Sequence, residues 1–175
     1  MAVSVRANDS LPVTGGWCAN DIQGRKYVDI DLTSIDGATK CKLSDFVGKD
    51  DLPVVLLVYT SYMGTDAGNG MTAHTIDRHA MHDSAKAHYI LMCSEGPERA
   101  KEFAAQHGLK KVAHYYGEFP PEYQRKSVPH QVVIMPDGTV KHNGPNAYMS
   151  YDYVRDKTAM TEFYMSHVFE KGWKS

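Results

Sequence analysis

No two of the three cysteines stand close enough in the chain to act as a pair. Cys18, Cys41 and Cys93 are separated by long intervals, and no CxxC occurs. A zinc knuckle and a local dithiol motif are therefore excluded, and the three are expected as reduced thiols. Long hydrophobic runs are missing too. No stretch approaches the roughly 18 apolar residues of a membrane span. The first twenty residues hold no apolar core of a secretory signal, and Asn8 and Asp9 interrupt any amphipathic targeting helix there. The expectation is a cytoplasmic chain with no membrane partner. Charge of one sign is also lacking. A formal net charge of -2 offers no global attraction to nucleic acid, so nucleic acid is not expected as a partner.

What is present suits one folded domain. The chain has 175 residues, 42% hydrophobic and 23% charged, enough for a sizeable core. Residues 1–25 are polar and broken by Pro12, Gly15, Gly16 and Gly24, and read as a flexible arm. From residue 26 the pattern changes. Tyr27 to Leu32 alternates apolar and polar, predicting a strand. Asp36-Gly37 predicts a hairpin turn, with residues 38–43 returning. Residues 44–49 predict a short helical turn. Pro53 to Tyr59 is continuously apolar at strand length, which predicts a central strand covered on both faces.

A glycine-rich loop is expected over residues 64–70. A helix then carries Met71, Ile76, Ala80 and Ala87. Tyr89 to Cys93 predicts a second buried strand. Pro97 opens a helix whose inner face is Ala100, Phe103, Ala104 and His107, and Gly108 stops it. Residues 109–127 read as a linker rich in aromatic and basic groups. Pro129 to Met135 predicts a strand, Asp137-Gly138 a second hairpin, and Thr139 to Lys141 its return. Ser150 caps a last helix bearing Tyr153, Met160, Tyr164 and Val168 on its inner face. Strands that alternate with helices and end in a hairpin imply an α/β sandwich around one mixed sheet.

Two stretches carry a family likeness. The run from Asp36-Gly37 to Gly48-Lys49, followed by the strand Val54 to Val58, resembles the opening of peroxiredoxins and TlpA-like thioredoxins. Val128-Pro129-His130-Gln131-Val132-Val133-Ile134-Met135-Pro136-Asp137-Gly138 resembles their cis-proline segment and closing hairpin. The resemblance covers about residues 26–170. It implies a thioredoxin-like sandwich: a central mixed sheet, an N-terminal β-hairpin and flanking helices, over residues 26–175.

In thioredoxins WCxxC follows the first central strand, and in peroxiredoxins TxxC does. Here the chain reads Thr60-Ser61-Tyr62-Met63-Gly64-Thr65-Asp66. Met63 stands where the resemblance puts the attacking cysteine, and Asp66 where it puts the resolving one. A thioether has no proton to lose and forms no mixed disulfide. The resemblance therefore implies a degenerate site of Thr60, Tyr62, Met63, Asp66, Pro129 and His130, without catalysis and without a cofactor. In the family the proline loop presents backbone groups to an extended peptide, so a peptide or protein groove is the expected remnant. The alternative is a divergent thiol peroxidase or disulfide reductase that uses Cys93 or Cys41.

A second candidate surface is the segment from Lys110 to Lys126. Tyr115, Tyr116, Phe119 and Tyr123 lie in it, with Lys110, Lys111, Arg125 and Lys126 flanking, and tyrosine and arginine favour binding hot spots. The competing reading is that these rings cover an edge of the sheet. His74, Asp77, His79, His82 and Asp83 invite a metal reading. Only His79 and His82 share a face at i, i+3, so no metal is expected. Redox-dead members of the fold serve as assembly and cytoskeletal components. The chain resembles in kind the apicomplexan thioredoxin-like proteins of cortical microtubules. That resemblance implies a protein partner, tubulin or a microtubule-associated protein, and a cytoskeleton-associated location.

Overall fold

The computed structural model describes residues 21–60, 66–125 and 129–145, the side chains of 66–72 and 145 excepted. Its strands are β1 (Asp31–Ser34), β2 (Lys40–Lys42), β3 (Val54–Tyr59), β4 (His88–Cys93), β5 (Ala113–Tyr116), β6 (His130–Ile134) and β7 (Val140–Pro145). Two helices, α1 (Asp66–His82) and α2 (Pro97–His107), connect the central strands. The strands form one sheet in the order β2-β1-β5-β4-β3-β6-β7. β3, β4 and β5 run parallel; β6 runs antiparallel to β3, and β7 antiparallel to β6.

β3 explains the position of the core. Its six residues VVLLVY are all buried, between β4 on one side and β6 on the other. Burying each valine or leucine is worth about 1.5–3 kcal/mol relative to water. A strand with no polar face must be central, and it is. Alternate residues supply two separate cores. Val55, Leu57 and Tyr59 pack against Ala73 and Ile76 of α1 and Ala100 and Phe103 of α2. Val54, Leu56 and Val58 pack on the other face with Ile22, Ile30, Leu43 and Tyr123. Both helices thus cover one face, and among the described residues loops cover the other.

α2 begins at Pro97 and ends at Gly108, whose φ of 58° is cheap only for glycine and whose N–H caps Ala104 O. α1 departs from expectation. It starts at Asp66 and includes Gly68 and Gly70, where the sequence suggested a loop. Two glycines cost roughly 1 kcal/mol each in a helix. Burial of Ala73 and Ile76 against the sheet outweighs that propensity. Ala87 lies beyond the helix, buried just before β4.

Three further corrections concern strands. Residues 109–127 are more than a linker, because Ala113–Tyr116 is β5, parallel to β4 and antiparallel to β1. Its residues are half-buried on both faces and show no alternation, so periodicity could not reveal it. β1 starts at Asp31 rather than Tyr27. Tyr27 N donates to Gly138 O and Ile30 O accepts from Leu43 N, so 27–30 crosses from the β7 edge to the hairpin. Residues 21–25, read as part of the arm, are packed: Asp21 and Ile22 are buried, and Gly24 and Arg25 pair with Val140. Gly117 marks where β1 passes close. A Cβ there would sit 2.5 Å from Asp31 O. The expected last helix from Ser150 and residues 1–20 lie outside the described residues.

Candidate functional site

Parallel strands place their C-terminal ends together, and ligands of open α/β sheets bind at that end. Tyr59, Cys93 and Tyr116 stand level in one row. β6 runs the other way and starts there, with His130 opposite Val58. The connection from Thr60 to Asp66, which contains Tyr62 and Met63, leaves from the same end. Tyr62, Met63 and Lys126 lie outside the described residues, and Asp66 is the first residue of α1.

Four polar side chains join at this end. Thr60, nearly buried, donates its hydroxyl to Glu95 Oε1 at 2.7 Å. Arg125 Nη2 donates to Ser94 Oγ at 2.7 Å. Ser94 N donates to Tyr59 O at 3.1 Å, which ties the two strand ends together. The Arg125 guanidinium lies 5.3 Å from the Phe119 ring centre, a cation–π distance. Phe119 stacks on Tyr123 at 5.1 Å and meets His130 at 5.3 Å. Two groups that the sequence kept apart therefore meet: Phe119 touches both Arg125 and the buried His130, and Arg125 bonds Ser94, whose neighbour Glu95 accepts from Thr60. Arg125 and Glu95 are exposed, while Phe119 and Pro129 are half-buried.

The rest of the aromatic-basic segment lies elsewhere. Tyr123 is fully buried, its hydroxyl donating to Val28 O and accepting from Val28 N, so its ring fills the core. Tyr115 packs on Phe46 with centroids 6.1 Å apart. Burial, with the Cys41 thiol beside it, pushes the Tyr115 hydroxyl up to about 12. Tyr116 is half-buried against the helical face. Lys110 and Lys111 precede β5 at the opposite end of the sheet. Their backbone N–H groups, with that of Val112, donate to Asp77 at 2.7 to 3.2 Å. Burial disfavours the Asp77 charge, but these three donors outweigh it and hold the carboxyl below its ordinary value. His79 is paired with Asp83 at 2.7 Å. Among the described residues no three His, Cys, Asp or Glu side chains are grouped to hold a metal.

Both thiols in the described residues are held toward their protonated form. Cys93 is fully buried. Burial raises its pKa despite hydrogen bonds from the Glu95 and Gly96 N–H groups and the Tyr59 hydroxyl, and the Glu95 charge raises it further. Cys41 is half-buried in the edge strand β2 and is also raised by burial. Below Tyr59 sits His114, its Nε2 at 2.8 Å from the phenol oxygen. Burial lowers the His114 pKa to about 4, so the ring is neutral.

Glu95 and Ser94 escaped the sequence reading. Their signal was present: a polar pair directly after a buried strand and before Gly96-Pro97 marks the strand's C-terminal end. Asp21, Asn143, Asp77 and His114 carried no such signal.

No protein-family model and no curated protein matches the chain. Solved structures do. The pneumococcal exposed lipoprotein thioredoxin from Streptococcus pneumoniae is 20% identical, over 77% of this chain and 99% of its own, with a TM-score of 0.53. A candidate thiol-disulfide oxidoreductase from Bacteroides vulgatus is 12% identical, over 77% of this chain and 94% of its own, with a TM-score of 0.60. A domain of a candidate thiol-disulfide isomerase from Cytophaga hutchinsonii is 15% identical, over 82% and 95%, with a TM-score of 0.58. The fold is thioredoxin-like. No helix among the described residues is long and apolar enough to cross a membrane.

Proposed function

We propose that this thioredoxin-like chain performs no thiol–disulfide turnover and uses the surface around Thr60, Glu95, Phe119, Arg125 and Pro129 to hold an extended segment of a protein partner. One observation carries the reading. Residues 60–66, which connect β3 to α1, contain no cysteine, and the sequence resemblance sets Met63 and Asp66 against the family's two cysteines. Disulfide exchange needs a thiolate attacker, and neither residue supplies one. The burial and raised pKa of Cys93, and the place of Cys41 on the far edge strand, support the same reading. Exposed Arg125 over Phe119 is the residue type that anchors protein interfaces. The sequence resemblance supplies the partner class: tubulin or a microtubule-associated protein, in a cytoplasmic, cytoskeleton-associated setting.

The test has two arms. Peroxide consumption and insulin-disulfide reduction are expected to give flat traces. Turnover that disappears in Cys93→Ser or Cys41→Ser would establish the thiol-enzyme reading instead. Co-sedimentation with purified microtubules is expected for the wild type and reduced at least several-fold in Arg125→Ala. Equal pelleting of the two proteins removes this surface from the interaction, and absence from both pellets removes the microtubule partner.

A further inference from the structure

Behind the proline segment lies a buried polar chain that the proposed function does not use. Asp21, His130 and Asn143 are fully or almost fully buried. Asn143 Nδ2 donates to Asp21 Oδ1 at 3.1 Å and to Tyr123 O at 2.8 Å. Asn143 Oδ1 lies 2.8 Å from His130 Nε2. The amide can point only one way. Turned over, its oxygen would face a carboxylate and a carbonyl, two acceptors, in a site where unpaired polar groups are expensive. With both N–H groups engaged, the oxygen must accept, so His130 Nε2 carries a hydrogen. The Asp21 charge polarises the amide and strengthens that bond.

Asp21 belongs to the segment that crosses the β7 edge. Gly24 N donates to Val140 O, Val140 N donates to Arg25 O, and Tyr27 N donates to Gly138 O. Gln23 reaches the same site twice, since its N–H donates to Asp21 Oδ1 at 2.9 Å and its side-chain oxygen accepts from Asn143 N at 3.3 Å. His130 in turn follows Pro129 directly and packs on Phe119, the ring beneath Arg125.

We propose that residues 21–27 form a strap that, through Asp21 and Asn143, sets the orientation of the His130 ring and so of the segment beginning at Pro129. Docking of the strap and the shape of the site surface are then one equilibrium. The inference rests on the packing alone and stands whether or not the surface binds a partner.

The test is solution NMR of the whole chain with labelled histidine, together with amide hydrogen exchange. In the wild type the His130 ring is expected to carry its hydrogen on Nε2. Asp21→Ala removes the carboxylate, and Asp21→Asn keeps its shape and removes its charge. In both, the His130 ring signals are expected to move. Exchange at residues 130–134 is expected to rise about tenfold in Asp21→Ala, the loss of one buried hydrogen bond to a charged group. His114, on the opposite face of the sheet, is the internal reference and is expected to stay still. An Nδ1-protonated ring in the wild type overturns the proposal. So do unchanged His130 signals in Asp21→Asn, or an equal movement of His114, which would mean general loosening. If Asp21→Ala does not fold, the isosteric variant decides.

Discussion

The two ends of the central sheet handle charge in opposite ways. At the end where β5 begins, Asp77 is closed in: one buried carboxylate takes three backbone N–H groups from residues 110–112. At the end where β3 and β4 finish, charges stay outside. Glu95 and Arg125, both exposed, each bond a hydroxyl, of Thr60 and Ser94. Both ends contain Lys or Arg within one short stretch of chain, from Lys110 to Arg125. A carboxylate enclosed by backbone donors stabilises; one bonded to a side-chain hydroxyl at an exposed strand end faces solvent. Residue type does not distinguish these roles, whereas the identity of the hydrogen-bond partner does.

Four variants sharpen that contrast. The largest effect is expected for Asp77→Ala, which strands three backbone donors, one of them buried. Stability in urea should fall by about 2–3 kcal/mol, with partner binding by the folded fraction intact. A loss under 0.5 kcal/mol would break the distinction between the two ends.

The next effect is on pH dependence. His114 stays neutral in the folded chain down to about pH 4, whereas in the unfolded chain it takes a proton near pH 6.5. Between these values the unfolded state binds more protons, so its contribution to stability falls as pH drops from about 6.5 to about 4 and is level below that. Asp77 behaves as a depressed carboxylate: its stabilisation is full above about pH 4 and is lost as pH falls through its lower folded value. His114→Phe should flatten the first limb in pH-dependent denaturation and leave the second. An unchanged slope between pH 6.5 and 4 would remove His114 from the account.

At the other end Arg125→Ala should cost at most about 1 kcal/mol, since the residue is exposed, while weakening partner binding several-fold. Unfolding and binding are measured on the same protein, and a large stability loss with normal binding would reverse the assignment. The smallest effect is expected for Lys110→Ala with Lys111→Ala. Their side chains are exposed and only their backbones hold Asp77, so stability should stay within about 0.5 kcal/mol and binding should not change.

Particular residues show how much of this was legible in the chain. β3 and β4 could be read because an unbroken apolar run can satisfy itself only inside a sheet. Both hairpins could be read because Asp36-Gly37 and Asp137-Gly138 prescribe a local turn, and Gly37 and Gly138 do take positive φ. α2 was bounded by Pro97 and Gly108 for the same local reason. β5 was hidden, because a half-buried strand has no pattern of its own and forms where β4 and β1 leave room. The early start of α1 was hidden because packing overrode the glycines. The family likeness pointed to Thr60, Pro129 and His130, while nothing in the chain announced that Glu95 would bond Thr60 or that Arg125 would bond Ser94.

By itself, then, the sequence determined whatever depends on residues near each other in the chain: the missing dithiol, the central strands, the turns, the caps. Only tertiary structure decided which distant groups meet, that Arg125 reaches Ser94 and Phe119, that Asp77 closes on residues 110–112, and that Asp21 stands behind His130. The physical reason is that a hydrogen bond depends on separation in space. Pairs 31, 33 or 122 residues apart leave no periodicity in the chain to read.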